Sequence, residues 1–298
     1  MSWRAVARKD FEDVVRSRMV WSILGVFVLL MAIVVLGASS NSGQDVGLAN
    51  VVNFFSTLGG ELLVPLTALI VGYMAIAGER ESGSLRILFG LSHGRRDVLV
   101  GKATSRVTTM VVVATVACVS AAVLSLVVFG SMPADIFVGF LVLTVALATA
   151  FTGIALGVSA ATGSRRGAMG GAVGSYVFFT ILWNPIVAGV HYAVEGELAG
   201  IDAPSWYLFL QRLSPLEAYR QGLMELLGEN IFGLFGWEFI VEDVDQQAMA
   251  DGGLVVSNRV GGDLPFYLTD WFAVLILLVW LVVPVALGLR YFEAADLN

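Results

Sequence analysis

Six apolar stretches without a charged side chain run along the chain: Met19 to Ala38, Leu62 to Gly78, Val107 to Phe129, Ile136 to Ala160, Ala168 to Ala188 and Trp271 to Leu289. A helix rises ~1.5 Å per residue, so ~20 residues cover the ~30 Å hydrocarbon layer of a bilayer, and each stretch reads as one span. The second is short and carries Pro65, and the fifth carries Pro185. Kinks are expected at both, because proline removes a backbone donor and crowds the preceding turn. The first stretch is too long for the apolar core of a signal sequence, and Ala38-Ser39-Ser40 is its only cleavage-like feature, so it reads as a retained span. The expectation is an all-α polytopic membrane protein with six transmembrane helices, forming a single domain over residues 1–298.

The segments between the spans are patterned as well. Over residues 1–18, Trp3, Val6, Ala7, Phe11, Val14 and Val15 recur at helical spacing, with Arg4, Arg8, Lys9, Glu12 and Arg16 opposite. This describes either a helix lying in the interface or an ordinary basic flank that fixes orientation. The connection from Glu79 to Arg106 is too long for a turn and divides at Ser92-His93-Gly94 into two short helical pieces. In the first piece, Leu85, Leu88 and Phe89 form an i, i+3, i+4 apolar face beside Arg86; in the second, Asp97, Lys102 and Arg106 lead into the third span. Periodicity alone leaves two readings open, a docking surface or an interfacial anchor.

Between the fifth and sixth spans, Trp206 to Leu210 and Leu216 to Leu227 are too short or too charged to cross, yet too apolar for plain loop. They read as re-entrant helices of an outer segment, residues 189–270, with Pro215 starting the second and Trp206, Tyr207 and Tyr219 at headgroup level. Glu238 to Asp263 reads as an exposed acidic loop.

Composition supports the bilayer as solvent: 57% of residues are hydrophobic and only 14% charged. The charges are segregated. Fourteen of the seventeen basic residues fall before the first span, in the second-to-third and fourth-to-fifth connections, and after the sixth span. By the positive-inside rule those regions and both termini face the cytoplasm, which places the chain in the cell membrane as a multi-pass protein. Residues 189–270 hold three arginines against thirteen acidic residues and should face outward. The excess of fifteen arginines over two lysines, with an acidic exterior, suits either a high-salt habitat or a merely solvated loop.

Candidate chemistry is sparse. Cys118 is the single cysteine, so no disulfide framework, metal site or redox centre is expected. Gly101-Lys102-Ala103-Thr104 lacks the earlier glycine, the Ser/Thr and the strand of a phosphate loop, and the chain is not expected to hydrolyse ATP. His93 and His191 fall on opposite sides of the membrane. The six stretches hold no Asp, Glu, His, Lys or Arg, which argues against an intramembrane hydrolase and a proton-coupled carrier; no catalytic residue is assigned. Ser120, Ser125, Thr144 and Thr152 are read as bonded to their own helix or a neighbour. Gly153-x-x-x-Gly157, Gly163-x-x-x-Gly167 and Gly170-x-x-x-Gly174 are read as helix-packing motifs, and Asn184-Pro185 as a kink.

Two motifs carry a resemblance. Glu79-Arg80-Glu81-Ser82-Gly83-Ser84-Leu85-Arg86, continued by Ser92-His93-Gly94-Arg95-Arg96 and Gly101-Lys102, is similar to the first cytoplasmic connection of type-2 ATP-binding-cassette permeases. Ser214-Pro215-Leu216-Glu217-Ala218-Tyr219-Arg220 resembles the N/S-P-x-x-x-Y-R element before their last span. The chain is closest to the branch containing the membrane subunit of the nitrous-oxide-reductase maturation transporter. The resemblance implies an elbow helix at Trp3 to Arg16 and a coupling helix at Glu79 to Leu91. Glu79, Arg80, Glu81, Ser82, Gly83, Leu85, Arg86, Leu88 and Phe89 would then form the interface with a separate cytoplasmic ATPase, which would hold ATP and Mg. It also implies a second permease copy or paralogue, export driven by ATP, and no cofactor in this chain. No nucleic-acid partner is expected. The acidic loop, unmatched in the family, leaves open an outer partner and a mechanical transmitter that moves no substrate; a stand-alone secondary carrier is the third class considered.

Overall fold

The computed structural model describes residues 3–40, 52–53, 55–83, 94–130, 133–244 and 252–294. Among them the secondary structure is helical throughout. An amphipathic helix α1 (Trp3–Val15) is followed by the apolar α2 (Arg18–Ser40). A π-helical stretch Phe55–Leu63 runs into α3 (Val64–Gly72), and after one turn α4 (Ala77–Ser82) continues the rod. Then come α5 (Arg95–Phe129) and α6 (Ala134–Ala161). Next, α7 (Arg165–Val177) passes through a π stretch, Phe178–Leu182, into α8 (Trp183–Glu195). The short α9 (Ser205–Arg212), α10 (Pro215–Leu227) and α11 (Val256–Arg259) precede the final α12 (Asp270–Ala294).

Five rods are long and apolar enough to cross a membrane: Phe55–Ser82, Arg95–Val128, Ala134–Ala161, Arg165–Glu195 and Asp270–Ala294. The expected first span falls on α2, a helix of 23 residues whose described apolar stretch is Val20–Leu30. The helices overrun the charge-free stretches at several ends. The rod of the expected second span starts at Phe55 rather than Leu62, and that of the third at Arg95 rather than Val107. Glu61 and Arg106 stop a charge-free count but not a helix, because each finds a partner inside the protein. The stretches drawn free of ionisable groups are therefore shorter than the helices that contain them. Glu61 is buried in the rod Phe55–Ser82 and His191 in the rod Arg165–Glu195.

The two proline sites behave alike. Pro65 occupies the first turn of α3 directly after a π stretch, and Pro185 opens α8 directly after another. A wider turn ahead of the ring relieves the clash with the preceding carbonyl, so the rods shift register instead of breaking.

At the centre stands α6, packed by α12, α5, α3 and α10. Its closest neighbour is α12: a Cβ on Gly153 would lie 2.5 Å from the Leu281 carbonyl oxygen, and one on Gly288 only 2.7 Å from that of Gly157. Gly153-x-x-x-Gly157 thus works as a backbone-to-backbone contact. Among the described residues, Gly170 and Gly174 face open space, a Cβ on Gly163 would come no closer than 3.8 Å to the Arg80 guanidinium and Gly167 meets only Ser164 and Thr162, so neither of the other two motifs makes a close helix-to-helix contact there. On α5, Val112, Val116, Val119, Val123 and Val127 form an exposed stripe at helical spacing.

Residues 189–270 are more tightly folded than the sequence suggested. Tyr207 and Tyr219 are fully buried, so neither ring is available to headgroups, while Trp206 remains partly exposed. Glu238 to Asp263 is not simply an exposed acidic loop: Glu238, Glu242, Leu254, Val255, Val256 and Arg259 are all buried, and residues 245–251 lie outside the described set. The acidic side chains tolerate burial because Arg220 and Arg259 neutralise them.

Candidate functional site

Gly101 begins the first of two charged constructions. A Cβ at this position would lie 2.7 Å from Val6 Cβ and 2.8 Å from the Trp3 carbonyl oxygen, so only glycine lets α1 lie directly against α5. One residue on, Lys102 is 4% exposed and sits under that crossing. Its Nζ is 2.8 Å from Glu79 Oε1 on α4 and 3.2 Å from Asp10 Oδ1 on α1. Arg106, one turn further, lies 3.1 Å from the other Asp10 oxygen. Two carboxylates and two cations balance, which is what permits their burial.

This end of the bundle is tied together further. The Ser159 hydroxyl accepts from the Ile76 and Ala77 amides at 3.0 and 3.1 Å, where the turn between α3 and α4 leaves N–H groups without helical partners. Glu81 Oε2 accepts from the Arg165 amide at 2.7 Å, capping the first turn of α7. Arg95 donates to the carbonyls of Phe292 and Glu293, and Arg96 pairs with Glu293 at 2.6 Å, binding the start of α5 to the end of α12. The connection over residues 84–93 therefore leaves from Gly83, a left-handed cap at φ 75°, and returns at Gly94, the N-cap of α5, between anchored points.

The second construction surrounds Arg220, at the far end of the rod that begins with Phe55. Its guanidinium reaches Glu217 at 2.7 Å and Glu238 at 3.1 Å. Asn184, in the first turn of α8, donates to Glu217 at 2.7 Å, and Glu61 Oε2 accepts from the Leu234 amide at 2.7 Å. Burial opposes the charge on Arg220, yet the carboxylates of Glu217, Glu238 and Glu61 hold its pKa well above the usual value. Next to it, Tyr219 is seated against Gly60, whose missing side chain makes room for the ring, and its hydroxyl lies 3.3 Å from Thr144. A third buried pair, Arg259 with Glu242 at 2.9 Å, is flanked by Tyr207 and Gln211. Burial and Glu242 raise the Tyr207 pKa, so its hydroxyl stays a donor.

Both constructions use the two sequence motifs, and comparison with known proteins places the pattern. The family described as ABC-2 family transporter protein matches residues 4–297. The chain belongs to this ABC-2 family. It is similar to the probable ABC transporter permease protein NosY of Pseudomonas aeruginosa, 27% identical over 251 residues, 82% of this chain and 89% of the relative. The protein of the same name from Stutzerimonas stutzeri is 28% identical over 222 residues, 72% of this chain and 78% of the relative. This ABC-2 permease is accordingly a multi-pass membrane subunit of an ABC transporter and not itself the ATPase.

Of the residues singled out for coupling, Glu79 pairs with the buried Lys102, and the exposed Glu81 accepts from the Arg165 amide. Ser82 donates to the Glu79 carbonyl at 3.2 Å, Gly83 ends α4, and Arg80 is half-buried on the same helix. Leu85, Arg86, Leu88 and Phe89 lie outside the described residues. Sequence reasoning missed Asp10, Arg165 and Ser159 in the first construction, and Glu61 and Asn184 in the second. The Gly-Lys pair and the Tyr-Arg pair were the available signals, but neither indicates its partners.

Proposed function

We propose that this ABC-2 permease spans the membrane six times with both termini in the cytoplasm, and couples a separate ATPase, which binds ATP and Mg, to export of a substrate. Two permeases, as a homodimer or a pair of paralogues, form the conduit. The observation that supports this reading is the bracing around Lys102. The connection between Gly83 and Gly94 leaves and returns at points tied to α1, α5, α7 and α12. A push on residues 84–93 by the ATPase is thus delivered to several helices at once, as rigid-body motion requires. Leu88 and Phe89 supply the apolar anchors of that contact, with Arg86 on its rim.

The test is co-purification of the tagged permease with its ATPase in mild detergent, with and without Leu88→Asp plus Phe89→Asp. Charge placed at an apolar anchor should abolish association while leaving the spans intact. Absence of any ATPase from the parent preparation would overturn the coupling assignment.

A second reading has its own support. The rod Phe55–Ser82 carries Glu79 at one end and Glu61 at the other, ~27 Å apart at ~1.5 Å per residue. Motion at the Lys102 end would reach the Arg220 cluster and the outer segment directly, as a transmitter acting on an outer protein requires. Arg220→Lys separates the readings, because it weakens the outer cluster without touching the ATPase contact. A transmitter loses function with ATPase association unchanged, whereas a conduit whose pathway lies elsewhere retains transport.

A further inference from the structure

Where α1, α2 and α5 meet, Phe11, Val15, Trp21, Leu24, Val112 and Val113 border a cavity of about 90 Å³. Thr109, also at its edge, spends its hydroxyl on the Ser105 carbonyl at 2.9 Å, so the wall offers carbon alone. A trapped water needs two to four polar partners, and none is on offer. A close-packed interior does not leave such a volume unfilled without losing its dispersion contacts. The mouth opens outward, since Val15, Trp21 and Val112 are 36, 61 and 49% exposed. The Trp21 indole is fixed as one wall by donating to the Val15 carbonyl at 2.9 Å.

Charge adjoining the lining residues along the chain defines the rest of the occupant. Arg16 follows Val15, and Arg18 stands one turn before Trp21 on the same face of α2. Both are exposed, and among the described residues neither takes part in an ion pair. The inward-facing Asp10 is already committed to Lys102 and Arg106, and Glu12 to Arg8. Hydrocarbon in the cleft with anionic oxygen at two free guanidinium groups is the chemistry of one molecule. We propose that this cleft holds an acyl chain of an anionic phospholipid, with Arg16 and Arg18 facing its phosphate. Placing that lipid in the cytoplasmic leaflet rests on the topology proposed above; the binding itself does not.

In a bilayer the surrounding tails are as apolar as the cleft, so selectivity comes from the headgroup and from fit. The experiment is native mass spectrometry of the full-length permease released from nanodiscs of phosphatidylglycerol mixed with phosphatidylcholine. The parent should retain phosphatidylglycerol well above its share in the disc. Arg16→Gln plus Arg18→Gln, both surface changes, should reduce that preference about thirtyfold, since each arginine near the surface contributes roughly one kcal/mol toward anionic lipid. Leu24→Trp, which fills the cleft, should remove the retained lipid while the protein stays monodisperse. A parent with no lipid preference, or a Leu24→Trp variant that keeps its lipid, overturns the proposal. A preference unchanged by the double arginine variant overturns the headgroup assignment. An inverted topology would leave all three results standing and is detected separately by cysteine labelling.

Discussion

Lys102 Nζ stands 2.8 Å from Glu79 Oε1, and the same ammonium reaches Asp10 at 3.2 Å, so one buried cation joins α1, α4 and α5. Lys102→Met would remove the cation that Glu79 and Asp10 share and leave Asp10 with Arg106 alone. Loss of one partner from a buried ion network costs about 3–5 kcal/mol. Denaturant unfolding of the purified permease should show a loss of that order. Combining Lys102→Met with Glu79→Gln should recover part of it, because the double change removes one of the two carboxylates that Lys102 served. Equal stability of Lys102→Met and the parent would mean that the network contributes nothing to the fold.

Arg220 holds Glu217 and Glu238 through a planar fork with two well-separated donor edges. Lysine presents one compact charge and cannot serve both carboxylates in the same geometry. Arg220→Met should therefore destabilise by about 3–5 kcal/mol. Arg220→Lys should recover less than half of the loss, read as the thermal midpoint in a single detergent. Full recovery by lysine would show that net charge alone, without the fork, holds the Arg220 cluster.

Helical glycines should respond differently to alanine according to what a methyl group would meet. At Gly60 a methyl group would strike the Tyr219 ring, and at Gly153 the backbone of α12, so Gly60→Ala and Gly153→Ala should each cost about 1–3 kcal/mol. Gly170 and Gly174 meet nothing within 4 Å, so alanine there should be neutral or gain up to about 1 kcal/mol in helix propensity. Thermal unfolding of the four single variants in one detergent distinguishes the two classes. Similar losses at all four positions would contradict the packing described for α6 and α12.

Apolar length made the spanning helices legible, because lipid as solvent leaves a charge-free run few alternatives to a helix. The ends were not legible, since Glu61 and Arg106 sit inside helices on the strength of partners distant in sequence. The Gly101-Lys102 motif was visible, but Asp10 lies 92 positions away and shares no local pattern with it. Likewise Leu213 to Arg220 was recognised as a motif, whereas its role required Glu238 and Glu61, on segments read as free loop and as the edge of a span. Acidic composition suggested a solvated loop after Glu238, but composition does not register an arginine waiting in another helix.

Cys118 is the chain's single cysteine and is fully buried, which provides a clean background for testing the direction of the spans. Gly163, between α6 and α7, and Asp202, between α8 and α9, are both exposed and are separated only by the rod Arg165–Glu195 and its flanks. Under the topology proposed above, Arg165 and Arg166 beside Gly163 put that side in the cytoplasm, as the positive-inside rule expects, and the acidic surroundings of Asp202 put it outside. In intact cells a membrane-impermeant maleimide should label Asp202→Cys at once and Gly163→Cys only after permeabilisation. The opposite order would invert the topology and move the Lys102 network, with the connection it braces, out of reach of any cytoplasmic ATPase. Labelling of both before permeabilisation would mean that Arg165–Glu195 does not cross, which its length and hydropathy argue against.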